Sequence, residues 1–286
     1  MVVQGIITGI IIGGILSLPV MGVALIYGVT GILNYAIATV GVFGAFVVWQ
    51  LLPYGILPAI LGGILTSFLI GYGLQQFLLN PLIKRKGNDL TLFFIITFGI
   101  ATILSGLIKV LFPRPTISFE FQSLGILHIA SIAVSINRVI AIATAVGILL
   151  LMHFFEKTTK TGKSWVGTSQ NLKMAKLVGV NVEFVFSLVS AIGCTLGFIG
   201  AFFWGTLYNL TLTTGWDLCF LGYIIAIVGG IGNIWGGMIS ALIMGIIISF
   251  TGYWLSGMWQ SVLLYGIFFL VLVISPKGIL GSERSI

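Results

Sequence analysis

Charge is what this chain has least of. Only 7% of its 286 side chains are charged, against about 25% in soluble domains, so too little polar side chain exists to cover a water-facing surface. No charged residue occurs before Lys84, and none between Asp217 and Lys277. Each of these gaps far exceeds the roughly 20 residues that cross a bilayer once, so each holds several spans. The alternation of apolar and polar residues that a membrane β-barrel needs is also absent, which leaves helices to satisfy the backbone in lipid. The sequence predicts an all-α, polytopic integral membrane protein, with residues 1–286 forming a single transmembrane domain.

Other absences narrow the function. Cys194 and Cys219 are the only cysteines; both lie in apolar surroundings and read as buried thiols, and no disulfide framework or metal spacing exists. His128 and His153 are far apart in sequence and have nothing to assemble with, which argues against a metal site and against an intramembrane hydrolase. Ion-coupled carriers and proton pumps keep ionisable groups inside the membrane, whereas Lys109, Glu183 and Asp217 each sit near a predicted helix end and read as interfacial anchors. The run "TGKS" at Thr161–Ser164 resembles the end of a P-loop but lacks the upstream glycine and the preceding strand, so no nucleotide is expected here. The N-terminus has no positive n-region and is expected to remain as a first helix, in which Gly5, Gly9 and Gly13 recur every four residues and open one face to close packing.

What the chain does contain is a series of apolar segments near 5–33, 35–51, 56–79, 90–112, 138–155, 184–208, 218–253 and 258–275, with a weaker one at 124–136. About eight transmembrane helices are expected. Three Lys/Arg-rich stretches, Lys84–Lys86, the island from Glu156 to Glu183, and the tail with Lys277 and Arg284, should be cytoplasmic. The segment at about 113–137, with Arg114 and Glu120, then becomes an external loop carrying a surface-lying helix. No charge near Met1 assigns its side.

Two tracts look like broken or re-entrant helices. "VGGIGNIWGG" places five glycines and an Asn inside an apolar run, where each Gly costs an unbroken helix about 1 kcal/mol relative to Ala. "IYGVTGILNYAIATVGVFGA" similarly sets Asn34 and Tyr35 among glycines. Discontinuous helices in corresponding positions point to a translocation path between inverted repeats, through Asn34, Tyr35, Gly229, Gly230, Gly232 and Asn233; tight turns between short helices are the alternative. The Glu156–Glu183 island carries five of the thirteen Lys and Arg residues. On a helical wheel Ser169, Lys173 and Lys176 form a basic stripe, with Leu172, Met174, Ala175, Leu177 and Val178 around it. Such a helix either docks on a protein or lies on anionic lipid.

The run "TGKSWVGTSQNLKMAKLVGVNVE" resembles the cytoplasmic loop of the branched-chain amino acid ABC transporter permeases, with Gly162, Lys163, Gln170, Ala175, Leu177, Gly179, Asn181 and Val182 in register. "ALIYGVTGILNYA", "IVGGIGNIWGGMISALIMG" and "VLVISPKGILG" resemble further motifs of that family in the same order over nearly the whole chain. Departures are Ile37 and Ala38 where the family has His and Gly, Val166 for the loop's second Arg, and Ser275 for the Arg before the closing Pro.

The resemblance implies an inner-membrane subunit, without a catalytic site of its own, that pairs with a second homologous permease, two cytoplasmic ATPases using ATP and Mg, and an external substrate-binding protein. The solute would be a branched-chain or other hydrophobic amino acid; related permeases carry urea, short amides, sugars or nucleosides, and an ion-coupled carrier is the competing class. Gly162, Lys163, Gln170, Leu172, Ala175, Leu177, Val178, Gly179 and Asn181 would form the ATPase coupling surface. No cofactor, metal or nucleic acid is implied for this chain.

Overall fold

The computed structural model describes residues 2–87, 89–119, 126–129, 132–254, 257–275 and 278–280. Glu120, Lys277, Arg284 and the side chain of His128 lie outside them. In chain order the helices are α1 Val2–Thr30, α2 Ile37–Leu51, α3 Ile56–Gly73, α4 Asn80–Lys86, α5 Leu90–Leu111, α6 Ile136–Thr158, α7 Lys160–Gln170, α8 Leu172–Leu177, α9 Val182–Leu207, α10 Thr214–Gly229, α11 Ile234–Trp254 and α12 Gly257–Ile274. A π-helical stretch, Leu74–Leu79, carries α3 into α4, so Ile56–Lys86 is one rod. Among the described residues seven helices are long and apolar enough to cross a membrane, and Thr214–Gly229 and Trp259–Ile274 are shorter apolar helices. The chain is a polytopic all-α membrane protein.

Small residues decide how these rods meet. Lipid is as apolar as leucine, so helices associate in a bilayer through close packing rather than hydrophobic exclusion. α1 is buried along most of its length and uses different glycines against different partners. A Cβ added at Gly9 would lie 2.5 Å from Ile246 Cα, and one at Gly13 would lie 2.7 Å from the Ala241 carbonyl oxygen, both on α11. On another face Gly22 meets Gly193, and Pro19 meets Gly200, of α9. α2 packs on α9 through Gly41 against Gly197 and on α3 through Gly44 against Ser67. Because backbone atoms form the opposing surface, Gly13→Leu is expected to prevent α1 and α11 from closing, whereas Gly106, which has nothing near its Cβ position, should accept Leu. The recovery of monodisperse protein after detergent extraction compares the two; equal recovery would contradict this packing.

The glycine register makes α1 antiparallel to both α9 and α11. Lys84–Lys86, α7, α8 and the start of α9 therefore gather at one end, which also holds Thr30 and the α10–α11 junction. The Val2 end of α1 lies at the opposite end, near Phe250. That end also carries a two-stranded ribbon, β1 Thr116–Ile117 with β4 Leu210–Thr211.

One sequence expectation is corrected here. Where the external loop at about 113–137 was expected to carry a surface-lying helix, β2 Ile126–Ile129 and β3 Ile132–Ser135 form an antiparallel hairpin. Ile126, Ile129, Ile132 and Val134 are β-branched, and their preference for extended backbone outweighs the apolar run that suggested a helix.

Candidate functional site

At the first break, Gly31 ends α1 with φ +71°. Thr30 Oγ1 accepts from the Ile32 amide at 3.2 Å, and the buried Asn34 Oδ1 accepts from the Ala36 amide at 3.0 Å, turning the chain into α2. Thr97 of α5 completes the turn by accepting from the Tyr35 amide at 3.1 Å, and its hydroxyl lies 3.2 Å from the Leu33 carbonyl. The Cys219 thiol donates to the Tyr35 carbonyl at 3.2 Å. Unwound backbone at this depth is thus paired by neighbouring helices, as a bilayer requires. The Tyr35 ring lies 5.6 Å from Phe94, 5.7 Å from Trp216 and 6.0 Å from Tyr223, the last stacked at 7°.

The second break, between α10 and α11, turns on Gly230 at φ +102° and Gly232 at φ +91°. Only glycine adopts these values without strain. Asn233 Oδ1 accepts from the Gly236 amide at 3.1 Å and starts α11, while Gly229 and Gly236 touch backbone to backbone. The chain after α12 returns to this point: the Ile279 amide donates to the Val228 carbonyl at 2.8 Å, and the Leu280 amide to that of Gly229 at 3.1 Å. Asn233 Nδ2 donates to the Leu280 carbonyl at 2.8 Å. The carbonyls freed by the break are therefore held by the chain's own tail. The breaks adjoin: a Cβ at Gly28 would lie 2.9 Å from the Gly232 carbonyl oxygen.

The basic island consists of two helices, so the continuous wheel drawn through Ser169, Lys173 and Lys176 does not hold. Asn171 is extended, with φ −151° and ψ 103°, and its Oδ1 caps α8 by accepting from the Met174 amide. Thr159 caps α7 by accepting from the Gly162 amide at 2.9 Å. Gly162 packs beneath Phe155 and Glu156, and the buried Trp165 donates to Glu156 at 3.2 Å. Lys163 and Gln170 border a shallow cleft with His153 and Lys157.

α8 ends in a Schellman cap. Gly179, at φ +85°, donates its amide to Lys176, and Val180 donates to Ala175. Asn181 then caps α9 by accepting from the Phe184 amide at 3.1 Å. Ala175 faces inward, whereas Leu177 is 79% and Val178 75% exposed, with Leu172 and Met174 also on the surface. Lys84 and Glu183 pair at 2.7 Å, joining the two basic stretches.

Sequence reasoning missed a polar clip beside this surface. Asn80 accepts from Gln75 Nε2 at 2.9 Å and donates to Ser187 Oγ at 3.1 Å and to the Glu183 carbonyl. Ser187 donates to Gln76 Oε1 at 2.7 Å. The clip fastens the start of α9 to the π-helical stretch. Its signal was present as "LQQFLLN", three amides in an apolar run.

A family model described as the permease component of the branched-chain amino acid transport system matches residues 5–272. The chain is 24% identical to the high-affinity branched-chain amino acid transport system permease protein BraD of Pseudomonas aeruginosa, over 98% of this chain and 96% of that one. It is 23% identical to the corresponding permease protein LivH of Escherichia coli K12 over the same shares. Against the probable branched-chain amino acid transport permease protein LivH of Methanocaldococcus jannaschii the identity is 29%, over 99% of this chain and 93% of that one. No solved structure matches.

Proposed function

The chain belongs to the branched-chain amino acid transport permease family, and from that premise we propose that it is the membrane subunit of an ATP-driven importer for branched-chain or similar apolar amino acids. It acts in the inner membrane with a second permease, two ATPases that bind ATP and Mg, and an external binding protein. The basic end faces the cytoplasm. Solute passes beside the two breaks, at Asn34–Tyr35 and Gly229–Asn233, and ATPase closure reaches them through α8.

The observation that carries this reading is the tip of α8. Leu172, Met174, Leu177 and Val178 are exposed on a short helix whose caps, Asn171 and Gly179, hold it rigidly ahead of α9. An apolar tip beyond the basic membrane edge fits a groove in a soluble partner. Movement of α8 passes through Asn181 into α9, which meets α1, α2 and α3 at glycine contacts.

Two measurements test the proposal. In liposomes containing the partners, uptake should require Mg and ATP on the ATPase side and survive an uncoupler; uptake that collapses with the uncoupler and needs no ATPase would establish an ion-coupled carrier instead. Cysteines replacing Gly87 and Lys176 should resist an impermeant thiol reagent added outside whole cells, and one replacing Ser118 should react. All three positions are exposed. The opposite labelling pattern would invert the topology and remove the ATPase contact.

A further inference from the structure

Away from the basic end, α9, α10 and α12, with Ile12 of α1 and Ile248 of α11, border a half-open cavity of about 340 Å³, at whose mouth Asp217, Phe220, Ser261 and Tyr265 are exposed; its volume is within the range of small-molecule sites of roughly 300–1,000 Å³. Its polar lining is Asp217 from the first turn of α10, with Gln260, Ser261 and Tyr265 from α12. Its apolar lining includes Phe220, Leu221 and Ile224, successive turns of α10 beyond Asp217. The cavity therefore presents a polar side along with an apolar one.

Asp217 is exposed at the cavity. Among the described residues the ion pair is Lys84–Glu183, and Asp217 makes no side-chain hydrogen bond there. The helix dipole makes a carboxylate tolerable in a first turn, but it does not account for the donor groups of Gln260, Ser261 and Tyr265 in the same cavity. An acceptor-only anion beside amide and hydroxyl donors is complementary to a molecule carrying both an ammonium and a carboxylate.

α10 runs from the cavity past the first break. Phe220, in the cavity lining, is 6.0 Å from Tyr265; one turn along α10, Tyr223 stacks on Tyr35.

We propose that Asp217, with Gln260, Ser261 and Tyr265, forms a receptacle for the ammonium and carboxylate of a zwitterionic amino acid, whose side chain rests on Phe220 and Ile224. The receptacle is a station in this subunit that selects solute by its head group after the binding protein releases it. This rests on the transport reading above.

Occupancy is measurable without ATP coupling. Tyr208 borders the cavity and is 46% exposed, whereas both native cysteines are buried. In the assembled transporter in nanodiscs, leucine should slow reaction of a cysteine replacing Tyr208 with an impermeant maleimide. N-acetylleucine and 4-methylpentanoate, which lack the ammonium, should not. Asp217→Asn should raise the leucine concentration for half-protection about tenfold or more, the loss expected for a charged hydrogen-bonding partner. Leucine that gives no protection, or equal protection with Asp217→Asn, would overturn the receptacle while ATP-driven uptake stands. Absence of ATP-driven uptake of any amino acid would instead overturn the transport reading.

Discussion

Leu177→Asp is expected to abolish solute-stimulated ATP hydrolysis in reconstituted liposomes while membrane insertion and binding-protein docking persist. Leu177 is 79% exposed at the tip of α8, so the substitution costs the isolated subunit little. In a complex its burial would contribute roughly 1.5–3 kcal/mol, and an unpaired carboxylate in that contact adds a further penalty. Gly179→Val should act as strongly by another route. Gly179 has φ +85°, a conformation that a β-branched residue adopts only with strain, and losing the Schellman cap re-aims the helix. Lys173→Ala should be mild, because an exposed charge contributes little to docking. If α8 lies instead on anionic lipid, the ranking reverses and depends on lipid composition. Comparing the three variants with and without anionic lipid distinguishes the two.

A chain ended after Ser275 should lose uptake together with folded protein, while one ended after Leu280 should retain both. The shorter chain lacks the amides that hold the Val228 and Gly229 carbonyls and the acceptor for Asn233. The Val228 and Gly229 carbonyls belong to buried residues, and each left unpaired costs about 1–3 kcal/mol, a large part of a typical stability of about 5–15 kcal/mol. Thermal midpoints of the two purified chains give the measurement, and equal midpoints would show that the tail contacts are dispensable. The same geometry changes what glycine substitutions can reveal. Leu at Gly230 or Gly232 forces a side chain onto positive φ, so lost uptake there reports the turn as much as any path.

The parts legible in sequence were those written in neighbouring residues. "VGGIGN" announced a break because glycine is costly in a helix interior, and the structure places Gly230 and Gly232 in that turn. The spacing of Gly5, Gly9 and Gly13 announced a packed face, and α11 occupies it. The split of the island at Asn171 was hidden because a wheel assumes one unbroken helix, although Asn is among the best N-cap residues. Thr97 at Tyr35, Cys219 at the Tyr35 carbonyl and the Asn80–Ser187 clip join positions far apart in sequence. Local pattern carries no record of such pairs.

The glycine faces of α1 also set a problem of timing during synthesis. α1 is made first, yet the surfaces that fill its grooves, around Gly193 of α9 and Ile246 of α11, leave the ribosome only after well over half of the chain has been made. At about 5–20 residues per second, α1 waits on the order of ten seconds or more, with acyl chains or the insertion machinery against faces destined for protein. Its sequence must therefore suit two solvents in turn. It has the highest mean hydropathy of the seven long helices and is also the most buried, a combination that lets it dissolve stably in lipid first and be wrapped afterwards.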